Sequence, residues 1–244
     1  GQNRAAACAP IFRHADDLVV AFFTVDATEE NYEAGDGWGQ CTLDLSDSAA
    51  WAAHFKERIP EARVQADLVF VGVHWGDNNK TEPTSDMKSA AKAMIRAGAD
   101  GIIGSSAHLL HGVGVIDGRP VLYDTGNFLF DSHFANEGGM SAVFQLLLSR
   151  QGVLQVRAQP VRIDYGFTFP DTPKRASETL ERIATRSSDL GTTVRIEDGE
   201  AVIDLPLPPS RPAPSQIAPP DPPPQPAPPP TTTAPEGCLV NLVP

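Results

Sequence analysis

Three short stretches of this 244-residue chain carry the side chains that could do chemistry. His74-Trp75-Gly76 follows Asp67 to Val73 (DLVFVGV), an apolar run with the length and β-branched content of a buried strand. A histidine directly after such a strand stands at the C-terminal edge of a sheet, where α/β proteins keep their ligands. Trp75 is expected to wall the site and Gly76 to let the chain turn away, with polar Asp77, Asn78 and Asn79 following. Gly101 to Gly104 reads as a short strand, and the small-residue loop beyond it carries His108 and His111. Tyr123-Asp124-Thr125-Gly126-Asn127-Phe128 ends a further strand and offers Asp124 or Asn127. Imidazoles at adjacent strand ends can converge on one cation, usually zinc, manganese or iron when carboxylates join them. His74 and His108 alone are too few ligands for a tight site. The same residues equally suit a capped strand end and a tied-down loop, the common fate of Asx and Thr after a strand.

The elements that must position these residues alternate. Leu18 to Val25 is an apolar run of strand length, and residues 48–58 read as a helix with Trp51, Phe55 and Arg58 on neighbouring turns and Pro60 ending it. Thr84 or Ser85 caps a helix through Ala97, whose apolar stripe is Ala90, Ala91, Met94 and Ile95, with Gly98 just past its end. Hairpins follow: Val113–Ile116 with Pro120–Tyr123 around Asp117-Gly118, and Ala142–Leu148 with Val153–Ile163. A helix near 173–187 and a hairpin turning at Asp198-Gly199 close the domain. Buried strands with helices first and antiparallel strands later predict an α/β layered sandwich.

Composition narrows the partners. Net charge is −12 and 41% of residues are hydrophobic, so the chain is globular and acidic, and nucleic acid and anionic membrane surfaces are disfavoured. A polyanionic ligand would need a local cation, either a metal or a basic pocket. No transmembrane segment is present, since no apolar run approaches 18 residues, and no signal-peptide pattern opens the chain. Its start, Gly1-Gln2-Asn3, reads as though cut from something longer. Cys8, Cys41 and Cys238 are odd in number and share no metal-ligand spacing, so unpaired thiols are expected and the redox compartment stays open. Residues 206 to 235 hold 15 prolines, which predicts a polyproline II or disordered spacer, so the domain is expected to span 1–205 and the tail 206–244. No nucleophile elbow, P-loop or dinucleotide fingerprint occurs. His14 reads as part of a solvated turn, His54 as a helix-surface or boundary residue, and His133 as a residue within reach of the Asn127 loop; Arg119 and Arg162 read as exposed arginines.

His74-Trp75-Gly76, Gly98-Ala99-Asp100, Gly104 to His108, Gly118-Arg119-Pro120 and Tyr123 to Leu129 occur in one order that resembles the poly-γ-glutamate capsule synthesis (CapA) family, from Gly1 to about Leu205. The resemblance implies a metallophosphatase-like, calcineurin-like fold: an α-β-β-α sandwich of which this chain would be the C-terminal part. It implies His74 and His108 as metal ligands, with Trp75, Gly76, Asn78, Asp124, Asn127 and His111 lining or supporting the site. It further implies divalent Mn, Zn or Fe, two ions in the complete domain, and a bridging water activated for phosphoester or amide hydrolysis. The catalytic residues stay unknown.

Poly-γ-glutamate or capsule synthase components are the implied partners, at the cell envelope. Two features depart from the family's pattern. Serine stands at 105 and 106 where a further loop histidine is usual, with His111 where glutamine is usual. The Asp, Glu and Asn/His ligands of the early strands would precede Gly1, so a chain beginning there would leave strand edges unpaired. A metal-dependent hydrolase and a non-catalytic scaffold or polymer-binding protein derived from one are therefore both expected readings.

Overall fold

The computed structural model describes residues 1–15, 17–28, 32–131 and 137–206. His133, Cys238 and the proline-rich tail beyond Pro206 lie outside the described residues.

The first sheet has six strands in the order β1 (Ile11–Ala15), β2 (Leu18–Asp26), β3 (Leu68–His74), β4 (Gly101–Ser105), β6 (Arg119–Leu122), β5 (Val113–Ile116). β2, β3, β4 and β6 run parallel, and β1 and β5 close the two edges antiparallel. After α1 (Arg4–Ala7), the long helices α2 (Ser48–Arg63) and α3 (Ser85–Ala97) make the crossovers. They bury Trp51, Phe55, Ile59, Met87, Met94 and Ile95 against Val69, Val71 and Val73 of β3. The opposite face carries Leu68 and Phe70 and packs on Val153, Val156 and Ile203 of a second, antiparallel sheet. That sheet has the order β10 (Arg195–Glu197), β11 (Glu200–Asp204), β8 (Gly152–Asp164), β7 (Met140–Ser149), with β9 (Phe167–Pro170) paired to the end of β8. α4 (Pro173–Ser188) sets Leu180 and Ile183 against Ala142, Ala158 and Ala201 of the second sheet. The α/β layered sandwich is as expected.

Several local expectations change. α2 runs through Pro60 to Arg63. The carbonyl freed by the missing N–H belongs to Lys56, an exposed residue, while Ile59 and Ala62 continue the buried stripe. His14 lies on β1 rather than in a turn, exposed and opposite Val19. Arg119 donates to the Asp117 carbonyl, and Arg162 lies 5.2 Å over the Phe169 ring.

The cysteine reading is corrected outright: Cys8 and Cys41 form a disulfide. β2 brings them together, because the segment after it folds back and bonds to the end of the strand, with the Asp26 N–H donating to the Cys41 carbonyl (2.8 Å). α3 meets expectation, with the Thr84 hydroxyl accepting from Met87 N and Gly98 ending the helix at φ 111°. Asp100 then accepts from Val69 N (2.8 Å) and pairs with Arg63 (2.6 Å), so the Gly98-Ala99-Asp100 segment locks α3 onto β3.

Candidate functional site

The parallel strands end together, and their last residues share a register: Asp26 opposite His74, and His74 opposite Ser105. Strand alternation puts these three side chains on the face that carries Leu68 and Phe70, past the region that the second sheet covers. Beyond β6, Tyr123 and Asp124 continue the same edge. Sequence reasoning missed Asp26, yet its signal matches that of His74: a polar residue directly after an apolar strand.

His74 and His108 line one cavity of about 540 Å³, together with Asp77, Asn78 and Ser106. On its other side His74 borders a second cavity of about 340 Å³, shared with Asp26, Gln40, Cys41 and Ser105. The loop between the strand ends is wound tightly: Ser106 and His108 take φ of 106° and 61°, conformations that L residues adopt only when surrounding contacts enforce them. Those contacts are visible. Ser106 Oγ donates to the Gly76 carbonyl (2.8 Å), and Asp124 accepts from the N–H groups of Ala107 (2.7 Å) and Gly126 (2.9 Å). A Cβ on Gly76 would stand 2.5 Å from Ala107 N, and one on Gly104 would stand 2.1 Å from the Tyr123 carbonyl oxygen. Close approach of neighbouring strand ends, rather than a sharp turn, is what glycine serves at 76.

Both candidate imidazoles are held by Nδ1. Asn127 Nδ2 donates to the carbonyls of His108 (3.3 Å) and Gly138 (3.0 Å), which fixes the amide so that its oxygen faces His108. That oxygen lies 2.8 Å from His108 Nδ1, so Nδ1 is the protonated nitrogen of the neutral ring and Nε2 keeps its lone pair. His74 is held in a similar way: Ser105 Oγ lies within hydrogen-bond distance of both the Val73 carbonyl (3.4 Å) and His74 Nδ1 (3.1 Å). Ser105, one of the two serines where the resemblance expects an imidazole, therefore holds one instead. Anchoring through Nδ1 is how ligating histidines are pre-set, with Nε2 left for a metal or a proton.

The remaining predicted residues are placed differently from one another. Asn78 is exposed and lines the cavity. Trp75 borders the cavity, while its indole lies in the core between Trp51 and Tyr123 and donates to the Tyr123 carbonyl (2.8 Å). Strand alternation forces this, because Trp75 follows His74 and so faces the helices. Asp124 and His111 are 1% exposed and sit behind the loop rather than on the cavity. Burial pushes the Asp124 carboxyl above its ordinary value, opposed by its two N–H donors, and burial lowers His111 below its own. His111 Nε2 donates to the Lys80 carbonyl (3.0 Å), and its Nδ1 is buried without a hydrogen-bond partner among the described residues. His111 thus ties two loops and does not stand in for the missing loop histidine.

As a metal donor set, this edge supplies two imidazoles, each held by its Nδ1 atom, which suits half the coordination of a divalent ion. Among the described residues, the one group of three Cys, His or carboxylate ligand atoms within 4.8 Å of one another is Cys8, Cys41 and His54, and its sulfurs are consumed in the disulfide.

A profile of the family described as bacterial capsule synthesis protein PGA_cap matches residues 1–132, more than half of the chain. The chain belongs to this family. It is 32% identical over 154 residues to the PGA biosynthesis protein CapA of Bacillus subtilis (strain 168), covering 62% of this chain and 39% of that protein. It is 31% identical over 140 residues to the capsule biosynthesis protein CapA of Bacillus anthracis, covering 57% of this chain and 34% of that protein. The chain thus spans well under half the length of these PGA_cap relatives. Among solved structures, a putative 5'-nucleotidase from Staphylococcus aureus aligns at TM-score 0.38 and 14% identity, over 71% of this chain and 33% of that one, too slight a likeness to argue from. The PGA_cap match takes in every parallel strand and both candidate imidazoles, and stops short of the second sheet and of Leu205.

Proposed function

We propose that this PGA_cap domain serves poly-γ-glutamate capsule synthesis at the cell envelope, and that the cavity between His74 and His108 is its metal-dependent hydrolytic centre. The observation that carries the reading is the pair of imidazoles, one at the end of β3 and one in the loop after β4, each held by Nδ1 and both lining one cavity. His74 and His108 would hold a divalent ion such as zinc, manganese or iron, and Asn127 and Ser105 would keep them oriented. Such an ion supplies Lewis-acid polarisation of a phosphoryl or acyl oxygen and activates a water. The Cys8–Cys41 disulfide supports the envelope, because disulfides persist in oxidising compartments outside the cytosol.

Ser105 favours a second reading. A hydroxyl that serves His74 in place of a third imidazole is what a retired active site would retain, and the domain would then be a scaffold that binds polymer or synthase components. Elemental analysis of the purified chain beside a His74→Ala/His108→Ala variant separates the two. The hydrolase reading expects stoichiometric metal in the parent chain and none in the variant. An equal and negligible metal content in both, after purification in metal-replete buffer, sinks it in favour of the scaffold.

A further inference from the structure

The helical layer carries a feature that the strand-end site does not use. α2 and α3 leave between them a groove of about 640 Å³ on the face away from the sheets. Ala52, Ala93 and Ala97 keep it open and apolar, and Lys56, Lys92 and Arg96 line it. No carboxylate contributes to the lining, on a chain whose net charge is −12. None of these three cations pairs with an acid among the described residues, whereas buried or half-buried arginines elsewhere are engaged, as in Arg63–Asp100 and Arg186–Glu137. Lys92 and Arg96 are one helical turn apart, about 6 Å along α3, and Lys56 faces them from α2, so the positive charge follows the groove.

We propose that this groove binds an extended polycarboxylate chain. Unpaired cations in a concave acid-free channel attract an anionic polymer that the rest of the acidic surface repels. The alanine floor accepts the methylene groups between carboxylates. No aromatic side chain lines the groove, so it lacks the stacking platform on which single-stranded nucleic acids are held. The choice of poly-γ-glutamate as the polymer rests on the functional reading above; the site does not.

The test is fluorescence anisotropy of labelled poly-γ-glutamate with the full chain, in EDTA, at low and physiological salt. Saturable, salt-sensitive binding is expected. Lys56→Gln/Lys92→Gln/Arg96→Gln should weaken it on the order of tenfold, from three exposed ion pairs of ordinary strength. A control with three exposed cations removed elsewhere, Arg13→Gln/Lys174→Gln/Arg195→Gln, changes net charge equally and should leave affinity within twofold. His74→Ala/His108→Ala should also leave it unchanged, so a parent chain that binds the polymer but holds no metal marks failure of the metal reading alone. No binding by the parent chain, or equal losses in the groove and control variants, overturns the groove. Equal competition by duplex DNA or by anionic phospholipid vesicles overturns its assignment to a polycarboxylate.

Discussion

Breaking the Cys8–Cys41 bond should cost much of the domain's stability and open one wall of the strand-end region. The two cysteines are 33 residues apart, and the chain-entropy relation for a loop of that length gives about 3.7 kcal/mol of stabilisation, with native strain subtracting from it. At the 2–4 °C per kcal/mol usual for a domain near 200 residues, the midpoint of thermal unfolding should fall by roughly 8–15 °C. The loss should be local before it is global. Cys41 borders the cavity shared by Asp26, His74 and Ser105, and the backbone bonds from Asp26 N to Cys41 O and from Leu43 N to Asp26 O tie that wall to β2. The assay is differential scanning fluorimetry of the chain with and without reductant, beside Cys8→Ala/Cys41→Ala, with thiol titration showing two more thiols after reduction. Amide hydrogen exchange should rise first at residues 39–43. A midpoint that moves by less than about 2 °C on full reduction would refute the reasoning, since the loop closure would then contribute nothing that the backbone bonds do not already supply.

Asn127→Leu removes the acceptor of His108 Nδ1 and the donor to the buried Gly138 carbonyl, so chemical denaturation should show a loss of about 2–3 kcal/mol. If the metal reading is right, affinity for the ion should fall about 10–100-fold in the same variant, measured by competition with a chelating dye. His54 should make stability pH-dependent. Burial, then the charges of Arg58 and Arg4, lower it to about 4, so its neutral form is favoured in the folded state. The sign follows: this contribution is complete above the unfolded value near 6.5 and is lost as pH falls towards 4. The full shift corresponds to about 3 kcal/mol, and screening of a half-buried group reduces this to about 1 kcal/mol. His54→Gln should flatten the stability profile by that amount between pH 6.5 and 4, and an unchanged slope would rule the residue out.

How far the sequence discloses the fold depends on what each signal measures. β2 and β3 announce themselves because a strand covered on both faces is an uninterrupted apolar run, and the Asp117-Gly118 and Asp198-Gly199 turns because both positions take positive φ, as found at 50°, 75°, 51° and 80°. β1 is invisible to the same test. Its residues Ile11, Arg13 and His14 are exposed at a sheet edge, so Ile-Phe-Arg-His-Ala has no reason to be apolar. Pro60 misleads because the rule that proline ends a helix concerns a carbonyl left without a donor, and here that carbonyl belongs to an exposed residue, Lys56. The disulfide is beyond reach of spacing arguments: 33 residues separate the cysteines, and only the return of the chain to the end of β2 closes the gap.

The site shows the same division between what a strand's end dictates and what its neighbours decide. That His74 and His108 face one cavity follows from the order of parallel strands, and the sequence carries that order as apolar run, then polar tip, three times over. Which way Trp75 turns is fixed by alternation once His74 is assigned outward, so a stricter use of period two would have put its indole in the core. The roles of Ser105 and Asn127 are of another kind. Each acts on an imidazole from a different strand or loop, through a hydrogen bond whose direction depends on where its own remaining bonds go. A residue that reads in sequence as a lost ligand is, in three dimensions, a hydroxyl that holds His74 by its Nδ1 atom. If the metal reading is right, the metal content of a Ser105→Ala variant reports on His74 and not on Ser105 itself: loosened binding marks orientation, and an unchanged ion count would rule that role out.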